Sequence, residues 1–410
     1  MVAEQESLEA RLGRYPVGRY PVQHATAQFH LGAARLAAGE PTVAVEALTV
    51  ARQVFGRVGL RLEEAKATNM LGIALRESGR PGDAETAFRA AVGGFAALGQ
   101  PVERAAASYN LGLVLRDAGD LAGAQTAWED AQRSFLTAGQ HAEAGACARE
   151  HGASLLTAGD PTGARLLLEE AVELAERGGD LAGLGAALNG LGLALLATDR
   201  SAEAAEAFRR ALGGFPRAVR PAEYAMAKAN LALAAARAGQ DSRARLAARQ
   251  ALAVAAATGP VRDQARQVLA VLPPPPGDDL LTVLDSEPPD RWTATLREEV
   301  LRLVEATASD REAAVAGLLE GALARPGAAV ALGQSLLHVL LELPPAAYDA
   351  MVRAAVAAGV GSTGRSTEAG DALAGVMRSA MARFPLPQWQ RLATSFDAVA
   401  AERGERLGWR

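Results

Sequence analysis

The feature that most constrains the fold of this chain is a period of 40 residues that runs through residues 22–272 without insertion or deletion. A small residue marks the same position of each period: Gly32, Gly72, Gly112, Gly152, Gly192 and Ala232. Leucines precede this residue in most periods and return one helical turn later, which predicts an apolar helix face. Exact internal repetition is typical of solenoids, in which each unit buries its core against its neighbours.

Each period has the pattern of two helices joined by a tight turn. A glycine that can adopt positive φ ends the first helix, at Gly39, Gly79, Gly119, Gly159 and Gly239. The second helix combines alanines with one large apolar residue, which is Leu48, Phe88, Trp128, Leu168 or Phe208. We therefore predict six helix-turn-helix units of 40 residues each.

The composition agrees with an all-α fold and excludes some function classes. Apolar residues make up 50% of the chain but aromatic residues only 4%, which favours closely packed helices over sheets. The net charge of −5 comes without any basic run, so we expect no nucleic-acid partner. A single cysteine, Cys147, excludes an internal disulfide. Because no signal peptide or long apolar segment is recognised, we expect a cytoplasmic protein without a membrane partner.

The order of Leu-Gly, Leu, Ala, aromatic and Ala in each unit resembles the tetratricopeptide repeat family over residues 22–272. The usual repeat has about 34 residues, so each helix should be longer here by about one turn. Segments such as Asn110–Asp120 resemble the 40-residue arrays of actinobacterial regulators and signalling ATPases, whose ATPase and DNA-binding domains are not recognisable in this chain. The resemblance implies an all-α, right-handed α-α solenoid of six repeats.

Outside the repeats we predict three further regions. They are an N-terminal helix and cap at residues 1–21, a proline-rich linker at residues 273–277 and an all-helical C-terminal domain at residues 278–410. The helices predicted in this domain are Asp290–Ala306, Asp310–Ala324, Ala328–Leu343, Ala346–Ala358, Glu368–Arg383 and Pro387–Glu402. Ser309 with Glu312 fits a capping box. The domain is also our candidate surface for a homo-oligomer.

The resemblance implies that the first helices line a concave groove that binds a protein or peptide segment. The polar candidates on this groove are Lys66, Asn69, Arg76, Tyr109, Asn110, Arg116, Arg149, Asn189 and Asn230. Basic side chains pair with carboxylates, and asparagine amides can bond to an extended peptide backbone. We therefore expect a peptide or an acidic segment as ligand, with a merely solvated helix surface as the alternative.

Towards repeats five and six the same face becomes apolar. The apolar candidates are Leu193, Leu196, Met226 and Leu233. Because exposed apolar patches usually mark contact sites, we expect something to cover this one. Our hypothesis is that the C-terminal domain folds back onto it, and a helix from a partner is the alternative.

The sequence contains no recognisable catalytic machinery. Cys147 and His151 lie four residues apart on one helix, but two candidate ligands do not make a metal site. Gly359–Gly364 matches the letters of a dinucleotide fingerprint, yet it follows a predicted helix instead of a strand. We therefore predict no catalytic residue, no metal site and no cofactor.

These observations favour a non-catalytic adaptor or scaffold that binds a protein or peptide in the groove. The second hypothesis is a regulatory sensor, in which a bound peptide or small ligand shifts the docking of the C-terminal domain. The third is an enzyme or accessory factor that acts on a groove-bound substrate, because a fold alone does not define function.

Overall fold

The computed structural model describes residues 12–275, 277–360 and 367–404, and the regular secondary structure of these residues is helical. The prediction of an all-α fold is confirmed. In the repeat region the helices are α1 Pro21–Ala37, α2 Pro41–Arg57, α3 Arg61–Glu77, α4 Pro81–Ala97, α5 Pro101–Asp117, α6 Leu121–Thr137, α7 His141–Thr157, α8 Pro161–Gly178, α9 Leu181–Ala197, α10 Ser201–Ala211, α11 Pro221–Arg237, α12 Asp241–Leu252 and α13 Gly259–Val271. The later helices are α14 Asp279–Ser286, α15 Pro289–Val304, α16 Ala308–Leu323, α17 Ala329–Glu342, α18 Pro345–Val360, α19 Thr367–Met381 and α20 Leu386–Glu402.

The chain divides into two compact units, Met1–Arg200 and Ser201–Arg410. The first unit contains α1 to α9, in which each helix packs against the next. The second unit contains the second helix of repeat five, all of repeat six and the C-terminal helices. Residues 273–275 have no regular secondary structure, and a domain boundary at residues 273–277 stays a prediction. Most of the predicted N-terminal helix lies outside the described residues, although residues 12–14 are helical.

Helices of constant length and short glycine turns set the repeat length. Each of α1 to α7 has 17 residues, and three residues separate one helix from the next. In the first turn Gly39 has a φ of 75°, and the N–H of Glu40 donates to the carbonyl of Arg35. This is the pattern of a Schellman helix end, in which glycine adopts the left-handed conformation without a Cβ penalty. In the described chain Asp199 takes the same role with a φ of 57°.

The anchor glycines leave room for the large residues of the second helices. A Cβ atom on Gly72 would lie 2.7 Å from Phe88, and one on Gly112 would lie 2.4 Å from the indole nitrogen of Trp128. Both aromatic side chains are almost completely buried. Glycine at this position therefore lets the two helices of a unit approach closely while the second helix fills the space between them.

In repeat six, two small residues occupy the positions of the anchor glycine and of the large side chain opposite it. Its anchor is Ala232, and the residue 16 positions later, where the earlier units carry a large side chain, is Ala248. Both alanines are fully buried. The two second helices of the second unit also end early, α10 at Ala211 and α12 at Leu252.

The C-terminal helices follow the prediction closely. The six predicted helices correspond to α15 to α20, with every end within two residues of the expected position. The sequence pattern did not predict α14, which begins where the carboxylate of Asp278 accepts the N–H of Leu281 at 2.9 Å. The capping box predicted at Ser309 is wrong, because Thr307 is the cap residue of α16 and its hydroxyl accepts the N–H of Asp310 at 3.2 Å.

The close contact of the anchor glycine predicts opposite effects for two Gly→Ala changes. Gly112→Ala should lower the free energy of unfolding by about 1–3 kcal/mol, because the added methyl group overlaps the buried ring of Trp128. Gly93→Ala, in the middle of α4 with open space around it, should raise it by up to about 1 kcal/mol. Urea unfolding followed by circular dichroism measures both values. Equal effects of the two changes would contradict the packing role of Gly112.

Candidate protein-binding face

The first helices of repeats two, three and four, α3, α5 and α7, carry most of the predicted groove residues. Asn69, Tyr109 and Arg149 occupy the same repeat position on these three neighbouring helices. We call this surface the first-helix face and define it by Lys66, Asn69, Arg76, Tyr109, Asn110, Arg116 and Arg149. Lys66 is exposed, and the other six residues are half-buried. The structure therefore places these seven predicted residues on adjacent helices, with their side chains at least partly accessible.

A chain of ion pairs crosses this face from α3 to α7. Arg76 donates to Asp117 with Nη2 at 2.8 Å and Nε at 3.1 Å from the same carboxylate oxygen. Arg116 bonds to the other oxygen of Asp117 at 2.9 Å and to Glu150 at 2.6 Å. Arg149 donates to the second oxygen of Glu150 at 3.0 Å. We call these five residues the arginine-carboxylate ladder.

The ladder follows from the register of the repeats. Arg76 and Asp117 are 41 residues apart, and so are Asn69 and Asn110, whose side-chain amides lie 3.4 Å apart. Because the repeat has 40 residues, a residue 41 positions later lies on the first helix of the next repeat, one residue beyond the equivalent position. The sequence pattern indicated the arginines but not Asp117 as their partner. Opposite charges 41 residues apart are the signal in the sequence that points to this pair.

The neighbours of Asp117 favour its charged form. Burial raises the pKa of Asp117, but hydrogen bonds and charges from Arg76 and Arg116 outweigh burial and lower that pKa from its usual value. Burial and the neighbouring carboxylate of Glu150 raise the pKa of the Tyr109 hydroxyl, which therefore stays protonated at neutral pH. Beneath the ladder, the guanidinium of Arg116 lies 6.0 Å from the ring of Trp128. The first-helix face thus presents charged side chains and the protonated hydroxyl of Tyr109, and the ring of Trp128 lies under Arg116.

The two remaining polar candidates are buried. Asn189 is 8% exposed and Asn230 is 7% exposed. The side-chain oxygen of Asn230 accepts a hydrogen bond from Gln264 of α13 at 3.0 Å. These two asparagines therefore differ from the candidates of repeats two to four in having little surface to offer a ligand.

The predicted apolar patch is distributed over both units. Leu193 is 40% exposed and Leu196 is buried, while Met226 and Leu233 are half-buried. Leu233 lines a groove whose other wall is α13, including Pro260 and Val268. Helix α13 therefore borders the first helix of repeat six at this point, where we expected the C-terminal domain.

The C-terminal helices contact repeat six elsewhere. Helix α12 packs against α14 and α15. The hydroxyl of Tyr224 donates to Glu298 of α15, and buried Arg245 bonds to Asp279 of α14 at 2.8 Å. Within the second unit the C-terminal helices therefore pack on α12 of repeat six, where Leu246 also joins their apolar core. Docking of the C-terminal domain onto the predicted apolar patch stays a prediction.

Cys147 and His151 are parts of the core. Cys147 is fully buried, and burial together with Glu150 raises the pKa of its thiol to about 12. His151 is 7% exposed, burial lowers its pKa, and its ring lies 6.5 Å from that of Trp128. A thiol with this pKa is a poor nucleophile and a poor metal ligand at neutral pH. Among the described residues, no group of three or more His, Cys, Asp or Glu side chains is placed to hold a metal ion.

Two further predictions concern the Gly359–Gly364 segment and the absence of a membrane-spanning helix. Residues 361–366 of the Gly359–Gly364 segment lie outside the described residues, and residues 359–360 end α18. None of the helices in the described part of the chain is long and apolar enough to span a membrane.

A family model described as tetratricopeptide repeat matches residues 69–135 and 149–219. The chain contains tetratricopeptide repeats. All five residues of the arginine-carboxylate ladder lie within the two matched segments. No curated protein is significantly similar in sequence to this chain.

Several solved structures resemble the tetratricopeptide-repeat chain. BtubC (BKLC) from P. vanneervenii is 16% identical, the match covers 66% of this chain and 94% of that protein, and the TM-score is 0.43. PilF of Pseudomonas aeruginosa is 15% identical, the match covers 60% of this chain and 96% of PilF, and the TM-score is 0.46. The apo form of RapI is 11% identical, the match covers 76% of this chain and 94% of RapI, and the TM-score is 0.45.

The ladder predicts the titration of Asp117. Carbon-detected NMR should find its carboxyl pKa lower than that of an unpaired aspartate in the wild type and higher in Arg76→Gln than in the wild type, because one of the two cations is removed. Since the folded-state pKa is lowered, the stabilisation is fully present above the unfolded pKa and is lost as the pH falls through the folded pKa. Arg133→Gln, which removes the exposed partner of Asp130, is the control. A pKa of Asp117 that is unchanged in Arg76→Gln would contradict the pairing.

Proposed function

We propose that this chain is a non-catalytic adaptor that binds an extended segment of a partner protein on the first-helix face. The observation that carries the proposal is the arginine-carboxylate ladder. It holds three arginines from three consecutive repeats in defined positions. Side chains that are already ordered lose less conformational entropy when a ligand binds, so a fixed ladder is a better recognition surface than three free arginines.

The charges of the face suit an acidic or neutral segment. The ladder has three guanidinium groups and two carboxylates, and Lys66 is exposed near the start of the helix that carries Arg76. A carboxylate of the partner can replace Asp117 or Glu150 on an arginine, because guanidinium groups bind any carboxylate in the same planar geometry. A charge-assisted hydrogen bond within the ladder would thus be replaced by one to the partner, and the partner carboxylate would also be attracted by the excess positive charge of the face.

The amides of Asn69 and Asn110 add a place for a peptide backbone. Their mutual hydrogen bond is long, at 3.4 Å, and each amide has two donors and one acceptor oxygen. An extended segment can use these groups for its own N–H and C=O, as in other modes of peptide recognition that satisfy the main chain. A second contact or self-association through the C-terminal domain belongs to the same proposal.

A peptide library displayed on phage and selected against the full chain tests the binding face. Selected peptides should bind the wild type, and the triple variant Asn69→Ala, Arg76→Ala, Arg116→Ala should weaken them about tenfold or more, because central arginines contribute most to such contacts. The matched control is Arg89→Ala, Gln125→Ala, Arg133→Ala, which removes exposed side chains of α4 and α6. Circular dichroism verifies that both variants fold.

The two variants distinguish binding on the first-helix face from binding on the exposed side chains of α4 and α6. Loss of binding in the first variant alone supports the first-helix face. Equal binding to both variants, or failure of the library to yield a binding peptide, contradicts the proposal.

A further inference from the structure

A cavity of about 250 Å³ lies inside the second unit, between repeat six and the C-terminal helix α15. Repeat six contributes Lys228 of α11 and Arg243 of α12, and the C-terminal part contributes Glu287, Arg291 and Glu298. We call it the repeat-six cavity. None of its lining residues belongs to the first-helix face, so it is a separate site.

The floor of the repeat-six cavity is a buried polar network. Lys228 is 4% exposed, and its ammonium group donates to Gln250 at 2.7 Å and lies 3.3 Å from a carboxylate oxygen of Glu298. Gln250 is 2% exposed, and its amide donates to Glu299 at 3.3 Å. Buried charges are tolerated only when they are paired and hydrogen-bonded, so these contacts fix the positions of the floor.

Three arginines from three helices surround this floor. Arg209 of α10 is held by Glu206 with a hydrogen bond of 2.8 Å from Nε, and Arg243 is held by Glu287 at 2.8 Å. Arg291, at the start of α15, is exposed. Pairing of Arg209 and Arg243 with carboxylates orients their guanidinium groups. The hydrogen bond from Arg209 and the charge of Arg291 both lower the pKa of the Glu206 carboxyl, so Arg291 lies near this pair.

The lining of the cavity has an excess of positive charge. Its charged residues are four basic side chains, Arg209, Lys228, Arg243 and Arg291, and two carboxylates, Glu287 and Glu298. With Glu206, which binds Arg209 from outside the lining, the surplus is one positive charge. The rest of the wall is largely apolar, with leucines such as Leu231 and Leu246. A cleft with low-dielectric walls and charges of one sign in excess concentrates ions of the opposite sign.

We propose that the repeat-six cavity binds a small organic anion that carries carboxylate or phosphate groups. Guanidinium groups recognise both kinds of oxyanion through paired N–H donors. The volume of about 250 Å³ lies below the usual range for drug-sized ligands, about 300–1,000 Å³, which indicates a compact metabolite. The apolar wall accommodates its carbon skeleton.

A ligand in this cavity would touch both repeat six and the C-terminal helices. Arg243 belongs to repeat six and Arg291 to α15, so an anion held by both would join the two elements. Binding would then stabilise their docking by mass action. The proposal does not depend on the first-helix face, since peptide binding there and anion binding here use different residues.

Isothermal titration calorimetry of the full chain with inorganic phosphate, succinate and citrate, each at constant ionic strength, tests the proposal. At least one anion should bind the wild type with one-to-one stoichiometry. Arg243→Gln and Arg291→Gln should each weaken that binding about tenfold or more, as expected for loss of a charged hydrogen-bond donor. Arg353→Gln, which breaks an exposed ion pair between α18 and Glu402 of α20, should bind like the wild type.

Each result decides the proposal. One-to-one binding that is weakened by both cavity variants and retained by Arg353→Gln supports the proposal, and the preferred probe tells carboxylate from phosphate. Arg291 is exposed, so its variant stays informative even if Arg243→Gln does not fold. No binding of any probe at millimolar concentration, or binding that all variants share, would overturn it.

Discussion

The contact between a glycine of the first helix and a large side chain of the second helix is the constraint on which the repeat structure depends. In repeat three, Trp128 occupies the space that a Cβ atom on residue 112 would need, and its indole N–H donates to the carbonyl of Tyr109 at 3.2 Å. This contact fixes how closely α5 and α6 approach and how one is rotated against the other. Interiors packed at this density do not absorb an extra methyl group without displacement.

Successive units have the same geometry because their helices are equal in length. Because 17-residue helices and three-residue turns recur, equivalent side chains of successive first helices lie beside each other. This places Arg76 next to Asp117, and Arg116 within reach of Glu150. The arginine-carboxylate ladder is therefore a product of the repeat register, and the same register places side chains of three repeats on one surface.

The sequence predicted most of the fold because repetition shows every structural position several times. The anchor glycines and the turn glycines could be read from their spacing, and the six C-terminal helices from amphipathic patterns separated by prolines. Helix α14 was missed because its eight residues are too few to show a clear period, and the cap at Thr307 was missed because Ser309 offered a competing pattern.

The candidate site was predicted only in part, for a different physical reason. The arginines were recognised as residue types, but the pairing of Arg76 with Asp117 depends on which side chains meet across helices. Burial of Asn189 and Asn230 likewise depends on neighbouring elements. The repeat-six cavity could not be anticipated, because Arg209, Arg243 and Arg291 come together only when α15 packs against repeat six.

A double-mutant cycle between residues 112 and 128 tests the central claim, that glycine is required because of the large side chain opposite it. The cycle compares the free energy of unfolding of the wild type, Gly112→Ala, Trp128→Ala and the double variant, which reproduces the alanine pair that repeat six carries at Ala232 and Ala248. The account predicts that Gly112→Ala costs about 1–3 kcal/mol beside tryptophan and close to nothing beside alanine. The same cost in both backgrounds would contradict it.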